Sequence, residues 1–173
     1  MAGGMKFNVT LSSLLPLAAS VFAMAMALAA QFGLGWKPCE LCLLQRIPIL
    51  LAGLAAVGSL YPTQFRGPQV VLAGLAALFF LGTSVLAAYH VGVEQHWWVF
   101  DSSCSRDPTE GQGVIDFAQE MSKPVVVRCD QPPWQWHGIT MAAMNVVYSA
   151  GVGIMTIGLL IAERRKRKNG NGR

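Results

Sequence analysis

Charged residues are scarce in this sequence. They make up 13% of its 173 residues, whereas soluble domains carry about 25%. Hydrophobic residues account for 53% of the chain, and the mean hydropathy is +0.44. So low a proportion of charge excludes an ordinary soluble domain and indicates a membrane protein.

Basic residues are also missing from most of the chain, although the net charge is +4. Six of the 13 Lys and Arg residues lie in residues 163–173, directly after an apolar run. A short basic run in this position typically fixes the orientation of a membrane protein. Nucleic acid is therefore not an expected partner.

Long stretches carry no charge at all. The stretch between Val9 and Gly35 has none, and a membrane span needs about 20 apolar residues. Because this run is longer than the roughly 7–15 residues of a signal-peptide core, we interpret it as a retained helix. With three further apolar runs, the sequence predicts spans at about residues 10–34, 43–61, 70–89 and 139–161.

The predicted architecture is a single all-α membrane domain, a four-helix transmembrane bundle covering residues 1–173. Two loops, residues 35–42 and 90–138, lie on one side, and both termini, including the tail 163–173, lie on the other. The side of the termini carries eight basic residues, and the loop side carries five over far more chain. The positive-inside rule then places the termini in the cytoplasm and both loops in the periplasm or its equivalent.

Two features predict helix packing. The string Leu-Ala-Gly-Leu-Ala-Ala occurs at residues 51–56 and again at 72–77, and small residues let helices approach closely in lipid. Asn145 is the strongly polar residue of the fourth span. An asparagine inside a span typically bonds a neighbouring helix.

The long loop contains a candidate helix. Val114, Phe117, Ala118 and Met121 recur at helical spacing, which predicts a short amphipathic helix at the membrane surface. A segment that packs on its own loop is the alternative.

Cysteine is rare as well, with four in the chain. Cys39 and Cys42 form a Cys-x-x-Cys pair where a loop turns into the second span. If Cys42 lies in the first turn of that helix, the partial positive charge of the helix terminus stabilises its thiolate. Arg46 lies four residues later, on the same helical face. This arrangement suits redox chemistry, and a static disulfide beside a snorkelling arginine is the alternative.

The other two cysteines, Cys104 and Cys129, lie in the long loop. All four then share the outer compartment, where disulfides form and persist. The gaps of 62 residues from Cys42 to Cys104 and 25 from Cys104 to Cys129 do not resemble a zinc finger or ribbon, so we expect no metal. The spacing leaves open the pairing of the four thiols, which allow three connectivities.

Two dithiol pairs at a membrane surface can pass electrons by thiol–disulfide exchange. A pair in a loop can meet a soluble protein, and a pair at a helix end can meet a lipid-soluble oxidant. The chain would then carry electrons from the soluble protein to the lipid-soluble oxidant.

The chain resembles the DsbB family over nearly its whole length. The motifs that carry the resemblance are Pro-Cys-x-Leu-Cys-x-x-Gln-Arg at residues 38–46, Tyr89-His90 with Glu94, Ser102-Ser103-Cys104, and Cys129 followed by Trp136 to Gly138 and Asn145. This resemblance implies a four-helix enzyme of the bacterial inner membrane. Such a protein reoxidises a periplasmic thioredoxin-fold oxidant of the DsbA type and gives the electrons to a quinone, ubiquinone or menaquinone.

The resemblance also implies roles for the cysteines. Cys104 would form the mixed disulfide with the DsbA-type partner, and Cys129 would be its pair, giving the disulfides Cys39–Cys42 and Cys104–Cys129. Cys39 would exchange with Cys129. Cys42, beside Arg46, would be the thiolate that meets the quinone.

His90 is a candidate for assisting quinone protonation, although a single histidine at an interface more commonly contacts lipid headgroups. The expected partners are the DsbA-type protein, membrane lipid and the quinone pool.

Two other functions compete with this one. A quinone-linked thiol oxidoreductase of the vitamin K epoxide reductase kind also combines a helical bundle with Cys-x-x-Cys, but its redox motif sits late in the bundle, whereas here the motif precedes the second span. A four-span scaffold with static disulfides is the second, and it would not require Arg46 beside Cys42.

Overall fold

The computed structural model describes residues 11–61, 66–98, 129–130, 132 and 134–170. Four long helices dominate these residues. They are α1 (Leu11–Leu28), α2 (Glu40–Leu60), α3 (Arg66–Glu94) and α4 (Met141–Gly170).

All four helices are long and apolar enough to cross a membrane. The qualifying segments are Leu11–Gly33, Glu40–Leu60, Gly67–Glu94 and Met141–Lys166. Backbone groups in lipid must be satisfied within the segment, and the helix does this. The prediction of an all-α, four-helix membrane protein is confirmed.

The helices form a closed ring of neighbours. Helix α3 contacts α2 and α4 most extensively, and α1 contacts the other sides of α2 and α4. Tyr148 on α4 donates a hydrogen bond to the backbone oxygen of Ala19 at 2.8 Å. Ser84 on α3 donates to the backbone oxygen of Val146 at 3.0 Å. These bonds tie α4 to both α1 and α3.

Small residues fill the centre of the bundle. The core cluster contains Ala19, Ala52, Ala56, Ala76 and Phe80. Its alanines at 52, 56 and 76 come from the two copies of the repeated string, and each is 0–1% exposed. The prediction that this string forms packing surfaces is therefore confirmed.

The ends of α1 and α3 nearest the Cys-x-x-Cys pair differ from simple spans. Helix α1 continues as a π-helical segment, Ala29–Gly33, and such segments are frequent at functional sites. Helix α3 runs on to Glu94, whereas the sequence pattern placed its end near residue 89. His90 and Glu94 thus lie one turn apart on a helix, with side chains that are 5% and 4% exposed.

A short hairpin leads into α4. Strands β1 (Gln135–Trp136) and β2 (Ile139–Thr140) pair antiparallel. His137 and Gly138 between them have φ values of 49° and 80°, as a two-residue turn with positive φ at both positions requires. The predicted amphipathic helix of the long loop lies outside the described residues, as does Cys104.

Gly153 on α4 provides a test of this packing. A Cβ there would lie 2.8 Å from Leu81 Cγ and 3.1 Å from the backbone oxygen of Ala77 on α3. We expect Gly153→Ala to lower the midpoint of thermal unfolding in detergent, because overpacking costs about 1–3 kcal/mol, whereas alanine adds only about 1 kcal/mol of helix propensity.

Gly151→Ala is the matched control, since nothing lies within 4 Å of a Cβ at that position. It should leave the midpoint unchanged or raise it. Equal midpoints for the two variants would contradict the α3–α4 contact.

Candidate active site

The amino terminus of α2 is built from the Cys-x-x-Cys pair. Cys39 is the N-cap residue, and its sulfur accepts a hydrogen bond from the backbone N–H of Cys42 at 3.2 Å. Cys42 therefore lies in the first helical turn, as expected. The partial positive charge of a helix terminus stabilises negative charge on a sulfur at this position.

The two sulfur atoms of this pair lie close together. The Sγ atoms of Cys39 and Cys42 are 2.7 Å apart. That separation is about 0.7 Å longer than a disulfide bond. The hydrogen bond to Cys42, followed by burial, raises the pKa of the Cys39 thiol.

Cys129 joins the pair from the far end of the long loop. It is 2% exposed and belongs to one buried cluster with Cys39, Leu41 and Val93, against which Cys42 packs. The structure thus brings together three of the four cysteines. The Cys104–Cys129 pairing remains a prediction.

His90 on α3 faces the same cysteines. Its Nε2 lies 3.6 Å from Cys39 Sγ and 3.7 Å from Glu94 Oε1. Its Nδ1 lies 3.0 Å from Nε2 of Gln45 on α2. The side chain is therefore buried and held on both ring nitrogens, unlike a histidine that contacts lipid headgroups.

Glu94 links the site to α4. The hydroxyl of Thr140 donates to Glu94 Oε2 at 2.6 Å, and the backbone N–H of Ala143 donates to the Thr140 hydroxyl at 3.2 Å. Thr140 thus caps α4 while it binds the carboxylate. The charges of Glu94 and Arg46 both act on Cys42.

Arg46 reaches towards α1. Its Nη1 donates to Oε1 of Gln31 at 2.7 Å, and Gln31 lies in the π-helical segment. The irregular end of α1 therefore holds the guanidinium at the same end of the bundle as the cysteines.

A metal ion is a poor fit to this geometry. Cys39, Cys42 and His90 offer ligand atoms within 4.8 Å of one another. The 2.7 Å between the sulfurs is shorter than two Zn–S bonds of about 2.3 Å at a tetrahedral angle require. That the site holds no metal stays a prediction.

The Cys-x-x-Cys motif with its following arginine predicted Cys39, Cys42 and Arg46 as site residues. Sequence reasoning gave no role to Gln31, Gln45 and Thr140. The signal that could have identified them is a polar residue within or beside an apolar run. Asn145 was expected to bond a neighbouring helix, and this is confirmed: its amide donates to Gln45 Oε1 at 2.6 Å.

A dithiol at a helix terminus, in contact with a third buried cysteine at one end of a membrane bundle, defines a membrane thiol–disulfide oxidoreductase. Comparison with known proteins gives the family. The model for disulfide bond formation protein DsbB matches residues 10–159, and the chain belongs to this family.

Two curated relatives agree. Disulfide bond formation protein B of Chromobacterium violaceum is 32% identical over 164 residues, which cover 88% of this chain and 93% of that protein. The protein of the same name from Chromohalobacter salexigens is 33% identical over 115 residues, 66% of this chain and 63% of that protein. No solved structure gives a significant match. The chain is thus a disulfide-forming, multi-pass membrane protein of the inner-membrane type.

The sulfur geometry predicts where the first disulfide forms. In a Cys104→Ser, Cys129→Ser variant, a mild oxidant should join Cys39 to Cys42 within one molecule, because little movement is needed. Mass spectrometry of peptides would detect this disulfide as the loss of two hydrogens.

Adding Cys42→Ser to that variant gives the control, which should form no intramolecular bond. Free thiols at both positions after oxidation of the two-cysteine variant would contradict the geometry.

Proposed function

We propose that this protein reoxidises a periplasmic, thioredoxin-fold thiol oxidant of the DsbA type and transfers the electrons through two cysteine pairs to a membrane quinone. The observation that carries the proposal is the position of the Cys39–Cys42 dithiol. It caps a membrane helix and lies in one buried cluster with Cys129. One side of this pair faces the loop cysteine, and α2 leads from it into the bilayer.

The first exchange takes place at the loop pair. A thiolate of the reduced partner attacks Cys104 of the Cys104–Cys129 disulfide, and Cys129 leaves as a thiolate. The second partner thiol then attacks the mixed disulfide. The partner leaves oxidised, and Cys104 and Cys129 are left with the two electrons and two protons.

The second exchange passes these electrons to the helix pair. The Cys129 thiolate attacks Cys39 of the Cys39–Cys42 disulfide, and Cys42 leaves as the thiolate at the helix terminus. Cys104 then attacks the Cys39–Cys129 bond, which restores the loop disulfide. The Cys39–Cys42 dithiol gives its two electrons and two protons to the quinone, which is released as quinol.

The residues around Arg46 suit a lipid-soluble electron acceptor. Arg46 carries several N–H donors, of which one engages Gln31, and a quinone offers carbonyl acceptors. Phe32, next to Gln31, and Ile47, next to Arg46, are 76% and 54% exposed, as expected for side chains that face lipid. Cys42 and Arg46 would hold the quinone, with the guanidinium stabilising negative charge on its oxygen.

The proposed orientation follows from charge. The end of α4 carries Arg164, Arg165 and Lys166, all exposed, and the positive-inside rule retains such residues in the cytoplasm. The cysteine end of the bundle would then face the periplasm, where a DsbA-type partner is found.

The central test is anaerobic turnover. Purified protein, a reduced DsbA-type partner and a soluble quinone should show loss of quinone absorbance, and Cys42→Ser should abolish it because the dithiol can no longer be oxidised. Cys104→Ser should abolish reaction with the partner. Arg46→Ala should mainly raise KM for the quinone, about tenfold or more, as expected for loss of a hydrogen bond to a charged group.

Arg164→Ala on the tail is the matched control and should behave as wild type. Absence of turnover, with disulfides that resist the reduced partner, would instead support a scaffold with static disulfides. An Arg46→Ala variant with unchanged quinone kinetics would remove Arg46 from the quinone site.

The orientation has its own test. In a background with all four cysteines replaced by Ser, Gln95→Cys at the end of α3 should react with a membrane-impermeant maleimide on intact cells. Asn169→Cys on the tail should react only after lysis. The reverse labelling pattern would overturn the proposed orientation.

A further inference from the structure

A row of four polar side chains, three of them buried, crosses the bundle beneath the cysteines. Ser149 and Asn145 on α4, Gln45 on α2 and His90 on α3 follow one another. Ser149 is 0%, Gln45 5% and His90 4% exposed. We refer to these four residues as the polar row. Buried polar groups are costly unless each is satisfied, and this row satisfies its members from three different helices.

The hydrogen bonds of the polar row have one direction. The Ser149 hydroxyl donates to Asn145 Oδ1 at 3.0 Å, and Asn145 Nδ2 donates to Gln45 Oε1 at 2.6 Å. Gln45 therefore presents its Nε2 to His90 Nδ1, at 3.0 Å. Since an amide nitrogen only donates, Nδ1 must be the acceptor and the neutral imidazole carries its proton on Nε2.

The direction continues into the cysteine pair. His90 Nε2 lies 3.6 Å from Cys39 Sγ, where its N–H is a donor to sulfur. Four successive donors thus lead from Ser149 to the Cys39 sulfur, which also accepts the backbone N–H of Cys42.

We propose that Gln45 and Asn145 are positioning residues that hold His90 as its Nε2–H tautomer, and thereby give the Cys39 sulfur a second N–H donor that stabilises it as a thiolate. The reversed row would put the proton on Nδ1 and turn Nε2 into an acceptor, which would stabilise the protonated Cys39 thiol instead. The consequence for catalysis rests on the proposed function, in which Cys39 leaves as a thiolate when Cys104 attacks the Cys39–Cys129 bond.

Other groups around His90 act on the same proton. Glu94 Oε1 lies 3.7 Å from Nε2 and is a second acceptor for it. The backbone of Cys129 also bonds the imidazole. The Glu94 carboxylate favours a donor at Nε2, which agrees with the direction set by Gln45.

A purely structural role would be different. If the polar row only joined helices, its loss would lower stability without moving a proton on His90. The tautomer and the choice of sulfur are therefore the quantities to measure.

The first experiment is long-range ¹H–¹⁵N correlation of the reduced protein in detergent, labelled at histidine. The sequence has three histidines, and His90→Gln assigns the relevant signals. We expect a proton on Nε2 in wild type, and a mixture of tautomers in Asn145→Leu and Gln45→Met. Asn145 is informative because its hydrogen bonds reach Gln45 and Ser149, and it acts on the imidazole only through Gln45.

Ser59→Ala is the matched control, because this buried α2 hydroxyl donates to the backbone oxygen of Ala56 in its own helix. It should keep the wild-type signals. A proton on Nδ1 in the wild type, or unchanged tautomers in both variants, would overturn the proposal. The wild-type measurement decides by itself if the variants fail to fold, and Ser149→Ala provides a milder change.

The second experiment compares the two sulfurs. Brief alkylation of the reduced protein with iodoacetamide, mapped by mass spectrometry, gives the ratio of Cys39 to Cys42 modification. In Asn145→Leu and Gln45→Met this ratio should fall about tenfold, as expected when the Cys39 thiolate loses one hydrogen bond. A ratio that rises, or stays unchanged, in both variants would count against the polar row.

Neither experiment contains quinone or a protein partner. Loss of turnover with the expected tautomer and alkylation pattern would reject the proposed function and retain the polar row. Turnover with a proton on Nδ1 would retain the proposed function and reject the role of the polar row.

Discussion

The hydrogen bond from the Cys42 backbone to the Cys39 sulfur is the interaction on which the cysteine end of the bundle depends. A helix leaves its first N–H groups without partners, and here a cysteine sulfur takes the place that Ser, Thr, Asp or Asn usually fills. The Cys-x-x-Cys pair is therefore part of the helix terminus itself. Negative charge on these sulfurs stabilises the helix through its dipole, and the dipole stabilises the negative charge in return.

Much of the architecture could be predicted from composition. The four spans follow from the absence of charge, and the burial of Ala52 and Ala76 follows from the small-residue repeat. The extension of α3 to Glu94 could not be predicted in this way. Hydropathy falls at His90 and Glu94, so the sequence pattern ends the helix before them. In the structure Gln45 and Thr140 bond these two side chains, and such tertiary partners leave no periodic signal in the sequence.

The candidate site was predictable only where a motif carried it. Cys42 and Arg46 are four positions apart on a helix, so their shared face could be worked out from the chain, and Cys39 belongs to the same motif. Gln31 and Gln45 are neutral amides in apolar runs, and their partners depend on how each helix is rotated in the bundle. The approach of Cys129 depends on the path of a long loop, which no local rule determines.

Thr140 has a further consequence through the chain that precedes it. Cys129 lies eleven positions before Thr140, which is bonded to Glu94 at the edge of the cysteine cluster. So short a tether gives the Cys129 thiol an effective concentration of the order of millimolar or more at Cys39. In the proposed exchange, small soluble thiols would need comparable concentrations to compete for Cys39, so the tether would favour the protein's own cysteine without any dedicated recognition surface.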